Sequence, residues 1–385
     1  MVTLPAHLVA TPFLERLTGG SRGAAAKGST GERDGVELDL RTGELEGAVL
    51  GAGDTAVWID LEEFVVVITT REVPLLPNAI AVSAGSGALV RAADGARRTA
   101  RLVPGRVAVG SLQITWDPTA PPTWDPTVPA PTDASRTALA ARGTALLHAL
   151  GSRPAPPMQA SQGGVDNLGS PLPGPATLPV REPQNPGLRL PHAREPQNPG
   201  LRLRRGGVPQ HPGVADVAAL VRELARIGMV TAADPDGAAG LTLLFRAVRE
   251  RDPELAAAAV GDVLGRGPGL TPEGDDLLAA VAGTLAVLGP AMERDGSTLS
   301  AVLEALAPIP GRTTALSATL LTLALERRLP EPARRLLDLT GAGETAWPAA
   351  LARLERLGHG SGRAYAAGIA ATAVLLAGPN VPVRR

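Results

Sequence analysis

The chain reads as an α+β protein with three parts: a β-rich N-terminal domain over residues 1–150, a disordered Pro- and Gly-rich linker over 151–212, and an all-helical C-terminal domain over 213–385. Three observations predict this. Short β-branched runs separated by glycine and acidic turns crowd residues 33–115. Proline, glycine and glutamine dominate 151–212, where large apolar side chains are few. From Val214 onward, apolar residues recur at helical spacing between turns containing Gly, Pro or Asp.

Taken in order, Leu4 to Leu17 reads as a short helix, against which Pro5 and Pro12 both count. The β-like runs are Val36–Leu40, Ala56–Asp60, Phe64–Thr69, Ala79–Val82, Thr99–Val103 and Arg106–Ile114. Val65, Val66 and Val67 are continuously apolar, as expected of a central strand buried on both faces. Trp116-Asp117-Pro118-Thr119 recurs as Trp124-Asp125-Pro126-Thr127, and proline at this density opposes helix and sheet alike. Its tryptophans are expected to pack on the adjacent sheet rather than grip a partner. Thr132 to Leu150 reads as one helix. In the linker, Arg181 to Leu190 recurs unchanged as Arg194 to Leu203, and such composition buries too little surface to offset ordering entropy. Helices are then expected at Val214–Ile227, Ala238–Arg251, Glu254–Leu264, Pro272–Leu288, Ser297–Leu306, Thr314–Arg328, Pro332–Leu339, Ala346–Leu357 and Ser361–Leu376.

Composition narrows the function. With 37 basic and 38 acidic residues, nothing draws the chain generally to nucleic acid or anionic membrane. The absence of cysteine removes disulfides, thiolate chemistry and cysteine metal sites. Met1 to His7 lacks the basic-then-apolar pattern of a signal peptide. The apolar stretch Ala364 to Ala377 is interrupted by Gly368 and Thr372 and is too short to span a bilayer. A soluble, cytoplasmic protein is the expectation. Lys27 lies outside any glycine-rich loop of the Walker pattern, and there is no Gly-x-Ser-x-Gly elbow. His7, His148, His192 and His211 show no metal-ligand spacing.

The chemistry concentrates in Gly265-Arg266-Gly267-Pro268-Gly269-Leu270-Thr271-Pro272-Glu273-Gly274-Asp275-Asp276. Thr271 suits a helix N-cap and Pro272 the first helical position. Gly267 and Gly269 tolerate positive φ and close approach of a ligand to the backbone. The N–H groups of such a turn make an anion site, and Asp275 and Asp276 supply oxygens for a magnesium ion or acceptors for an amide or ammonium group. The same residues also describe a well-capped helix whose acids favour the positive end of its dipole. Three glycines in five residues before Thr-Pro-x-Gly-Asp-Asp exceed what capping requires.

The string from Gly267 to Asp276 resembles the signature of the AllH-like family, long catalogued as a domain of unknown function. That family includes a subunit of bacterial oxamate carbamoyltransferase, which acts in anaerobic allantoin breakdown. Two further echoes are Gly311-Arg312-Thr313-Thr314-Ala315-Leu316-Ser317 and Gly358-His359-Gly360-Ser361-Gly362-Arg363. The similarity covers 30–115 loosely and 213–378 more closely, leaving 151–212 without a counterpart. Where the family more often has serine this chain has Glu273, adding negative charge beside any anion pocket.

The resemblance implies a transferase subunit that works with companion subunits and moves a carbamoyl group between an oxalurate- or oxamate-like ureide and phosphate. Arg266, Gly267, Gly269, Thr271, Gly274, Asp275, Asp276, Thr313, Thr314, Ser361 and Arg363 are the candidate substrate- and anion-binding residues. Asp275 and Asp276 are the candidate metal ligands, and no catalytic residue is assigned. Arg312 is a second cationic candidate, and His359 an acid–base one, each with a surface reading beside it. Thr314 and Ser361 also suit plain N-caps. Two other functions fit the same residues: a non-catalytic metabolite-binding or assembly subunit, and a magnesium-dependent phosphate-handling protein.

Overall fold

The computed structural model describes residues 2–17, 44–62, 64–85, 87–93, 99–131, 135–152, 217–229, 235–292, 297–309, 311–339, 341–358 and 360–378. The expected strand Val36–Leu40, His359 and nearly all of the linker, with its duplicated unit, lie outside them. The protein is α+β, with an N-terminal β-barrel and a C-terminal helical region. Met1–Pro157 and Gly213–Arg385 form one compact unit.

The barrel strands are β1 (Val2–Ala10), β2 (Leu45–Ala52), β3 (Ala56–Asp60), β4 (Val65–Thr70), β5 (Ala79–Val82), β6 (Thr99–Val103), β7 (Arg106–Val109) and β8 (Leu112–Thr115), with a short β9 (Thr123–Trp124). Their order is β5-β4-β3-β2-β6-β7-β8-β1-β9, and a β5–β1 pairing closes the first eight into a ring. β1 makes the closure by dividing its length. Val2–Pro5 run parallel to β8, and Ala6–Val9 pair antiparallel with β5 across a register shift. Closure removes the exposed edges that an open sheet would leave.

Alternation fills the barrel. Val57, Ile59, Val66, Ile68, Ile80, Leu102, Val107 and Ile114 share its core. Val65 and Val67, on the other face of β4, are also buried, so the continuous valine run is a strand covered on both sides, as expected. Sequence and structure part at the N-terminus. Residues 2–10 are a strand, and only α1 (Thr11–Leu17) is helical. Pro5 cannot donate inside a helix, whereas Pro12 sits in the first turn where no donor is needed. Phe13 of α1 enters the barrel core and meets Trp116 edge-on at 6.2 Å. The run Arg106–Ile114 is two strands, because Gly110 at φ 57° turns the chain. Strands β2 and β9 and the helix α2 (Ala88–Ala93) lie where no element was expected.

The other helices follow the expected pattern, with ends shifted by a few residues: α3 (Arg136–Ser152), α4 (Val217–Arg226), α5 (Pro235–Glu250), α6 (Pro253–Val263), α7 (Glu273–Met292), α8 (Ser297–Ala305), α9 (Ala315–Leu325), α10 (Glu331–Leu336), α11 (Gly341–Leu354) and α12 (Ser361–Ala377). α7 is buried on every side and packs against α12 and α9, and α12 in turn packs on α3. Among the described residues, α7 alone is long and apolar enough to cross a membrane, yet 89% of its apolar window is buried within the protein, as in a core helix. At the α7–α12 crossing a Cβ on Gly368 would stand 2.7 Å from the Ala280 Cβ and 2.9 Å from the Leu277 carbonyl oxygen, so only glycine allows this approach.

The barrel braces the helices that carry the candidate site. Val65 and Val67 of β4 pack against Leu316 and Leu320 of α9, with Leu270 of the glycine-rich loop beside them. The Val65 N–H donates to Thr319 Oγ1 of α9 at 3.0 Å.

Candidate functional site

Three loops meet at the N-terminus of α7. The first leaves α6 at Leu264 and turns through Gly265, Gly267 and Gly269, at φ of 78°, 110° and 100°, a region that strains any residue with a Cβ. Gly274 allows the loop to fold back on the helix start. Its N–H donates to the Arg266 carbonyl at 2.9 Å, and a Cβ there would collide with the Val263 carbonyl oxygen. The second loop, 311–314, precedes α9, and the third, with Gly358 and Gly360, precedes α12.

Asp275 staples the first loop to the second. Its Oδ1 accepts the Gly265 N–H at 2.6 Å and its Oδ2 accepts the Thr313 hydroxyl. Thr314 adds a second tie. Its hydroxyl donates to the Leu270 carbonyl at 2.6 Å while its oxygen accepts the Ser317 N–H at 3.1 Å, so the same group caps α9 and holds the loop. Thr271 ties the first loop to the third, with its hydroxyl 2.8 Å from that of Ser361. Neither hydroxyl is an N-cap as expected. α7 begins one residue later, with the Pro272 carbonyl accepting from the Asp276 N–H at 3.2 Å, and Gly360 caps α12. That one-residue shift frees both hydroxyls to face each other.

Asp276 lies under this pair and is 4% exposed. Burial pushes its carboxyl well above the usual carboxylate range, and the negative charges of Asp275 and Glu273 push the same way. Hydrogen bonds from the Ser361 and Thr271 hydroxyls pull it down without overcoming burial. Its Oδ2 is enclosed and has no hydrogen-bond partner among the described residues. Buried acceptors are nearly always satisfied, so this oxygen is an exception that asks for a donor. Tyr365, four residues after Ser361 on the same face of α12, is also buried, and burial together with the Asp276 charge raises its phenol.

The glycines around this cluster leave room. A Cβ on Gly269, Gly311 or Gly360, one in each loop, would meet nothing within 4 Å.

Nine of the eleven predicted site residues converge here: Gly267, Gly269, Thr271, Gly274, Asp275, Asp276, Thr313, Thr314 and Ser361. The two arginines do not point the same way. Arg363 is buried on the other side of α12, where its guanidinium donates to the Leu150 carbonyl at 2.6 Å and to the Ile227 carbonyl at 3.0 and 3.1 Å. It holds the ends of α3 and α4. Arg266 donates to the Asp262 carbonyl, and Arg312 to the Gly261 carbonyl at 2.6 Å. Both bind the last turn of α6, where carbonyls lack helical donors.

Among the described residues no group of three or more His, Asp or Glu could hold a metal ion. Tyr365 was not anticipated from the sequence. Its signals are that it is the chain's one tyrosine and stands four residues after Ser361.

The family model described as oxamate carbamoyltransferase subunit AllH matches residues 263–373. No curated protein and no solved structure matches the chain. The matched interval opens at the last residue of α6 and closes inside α12, so it encloses all three loops and the hydrogen bonds that join them. Across that interval the chain is AllH-like.

Proposed function

We propose that this chain is a subunit of a carbamoyltransferase and that the three-loop site holds an oxamate- or oxalurate-like ligand during carbamoyl exchange with phosphate. The observation that carries the reading is that the family match encloses the whole three-loop cluster. The family match covers the residues that the Asp275–Thr313, Thr314–Leu270 and Thr271–Ser361 hydrogen bonds draw together.

In this reading Asp275 is an anchor, since protein donors already occupy both its oxygens, and Asp276 is the carboxyl that addresses the ligand. The open glycine backbone at Gly269 and Gly311 receives the ligand's anionic end through N–H groups. In the reaction a phosphate oxygen bonds to the carbamoyl carbon of the ureide. The C–N bond to the oxamate nitrogen breaks, and that nitrogen takes up a proton. The chain's share is to fix the two reactants in register. Companion subunits supply the remaining catalytic groups.

The test is reconstitution. The purified chain alone should form no carbamoyl phosphate from oxalurate and phosphate, and co-expression with companion subunits should restore it. In the assembled enzyme, Thr271→Val should cut turnover by about tenfold or more, the loss typical of removing one positioning hydrogen bond in a transition state. Turnover by the single chain would make it an enzyme in its own right. An assembled enzyme indifferent to Thr271→Val would remove the three-loop site from the reaction.

A further inference from the structure

We infer that Asp276 is the group by which this site tells an amide from a carboxylate, receiving a ligand N–H at its unpartnered Oδ2. The inference deepens the carbamoyl-transfer reading and takes its probes from it.

The Thr271 and Ser361 hydroxyls lie 2.8 Å apart, and both favour the ionised form of the Asp276 carboxyl as donors. The two hydroxyls bring two protons. If Asp276 is ionised, all its lone pairs are acceptors and Oδ2 needs a donor. If Asp276 is neutral with its proton on Oδ1, Oδ2 is again a bare acceptor. In both of these states the enclosed Oδ2 is an acceptor without a donor.

Charge points the same way. The acids acting on Asp276 are Asp275 and Glu273, and the group it acts on across the α7–α12 contact is the Tyr365 phenol. The arginines of the three motifs are engaged elsewhere: Arg266 with the Asp262 carbonyl and Asp236, Arg312 with the Gly261 carbonyl, and Arg363 with the Leu150 and Ile227 carbonyls and Glu355. A carboxylate brought to Asp276 would add negative charge and acceptors to a place already rich in both. An amide N–H brings the donor that Oδ2 lacks.

Oxamate and oxalate differ by one NH2 in place of O−, and calorimetric titration of the full chain with each is the test. Wild type should bind oxamate about tenfold tighter than oxalate or better, because a buried acceptor rejects the analogue that leaves it unpaired. Asp276→Asn keeps the shape but presents an NH2 of its own, and should erase the preference. Gly360→Ala is the control for folding. The position has φ −128° and open space for a Cβ, so the variant should fold, with a melting temperature lowered by no more than the loss of a glycine N-cap, and bind neither ligand.

Equal affinity of wild type for the two probes, an Asn variant that keeps the preference, or binding of neither probe to wild type overturns the inference. Carbamoyl transfer is scored separately in the assembled enzyme. A complex that transfers nothing while its site prefers oxamate overturns the transferase reading and supports the role of Asp276. An active complex without the preference does the reverse.

Discussion

Replacing Asp276 with Asn should stabilise the protein, and by an amount that grows with pH. In the unfolded chain the carboxyl titrates near its ordinary value of about 4. In the fold, burial among apolar residues beside Asp275 and Glu273 raises it well above that. Below the unfolded value both states hold the proton, and the wild type and the Asn variant differ by about 1 kcal/mol or less, the worth of one rearranged hydrogen bond. Above it the unfolded chain releases the proton while the fold retains it. Unfolding is then favoured by about 1.4 kcal/mol for each pH unit climbed, until the pH passes the native value and the loss levels off. Asn has nothing to titrate, so its advantage should open along that slope. Asp117, Asp125 and Glu250, whose carboxyls are lowered by their hydrogen bonds, tilt the absolute curves the opposite way. They are common to both proteins and cancel in the difference. Urea unfolding of the two proteins from about pH 4 to about pH 7 measures the gap directly. Parallel stability curves would refute the reasoning, and a widening gap in favour of the wild type would show that Asp276 is ionised and paired.

Two other outcomes follow from the same geometry. Arg363→Met should cost roughly 3 kcal/mol or more in urea unfolding, because it leaves the Leu150 and Ile227 carbonyls buried without their donor. Arg363→Lys should recover only part of this, since an ammonium cannot reproduce the guanidinium fork; unchanged stability in the Met variant would return Arg363 to the ligand. Tyr365, the only tyrosine, should show no tyrosinate absorbance in the folded protein at pH values where free tyrosine ionises, about 10, because burial and Asp276 raise it. The unfolded chain loses that proton first, so stability falls as the pH climbs past about 10 and the signal should appear together with unfolding; a tyrosinate rise with the fold intact would contradict it.

What the sequence disclosed and what it hid divide along a physical line. Ala56–Asp60, Ala79–Val82 and Thr99–Val103 coincide with their expected runs, because side-chain alternation and β-branching are local properties. Leu45–Ala52 escaped because Gly47 and Gly51 dilute the pattern. Gly47 is needed where it is, since a Cβ there would stand 2.8 Å from the Asp60 carbonyl oxygen on β3. A contact between strands thus erased the signal within one of them. The parallel pairings of β4 with β5 and β1 with β8, which help close the barrel, leave no local trace at all.

The site divides in the same way. Its glycine turn and paired acids are contiguous and could be read as a unit. The Thr271–Ser361 hydrogen bond spans 90 residues and exists only because α12 packs along α7. Arg363 shows where local reading went astray and also how elementary geometry corrects it. Two residues along a helix of 3.6 residues per turn are about 200° apart around its axis. Ser361 and Arg363 therefore face opposite sides of α12 and cannot line one pocket, while Ser361 and Tyr365, four apart, share a face. Once Ser361 is given to the ligand side, Arg363 falls to the structural side. The proposed site is left with carboxyls, hydroxyls and open glycine backbone, with Arg363 held on the far side of α12. That composition favours a ligand presenting an N–H to Asp276 and its negative charge to the glycine loops.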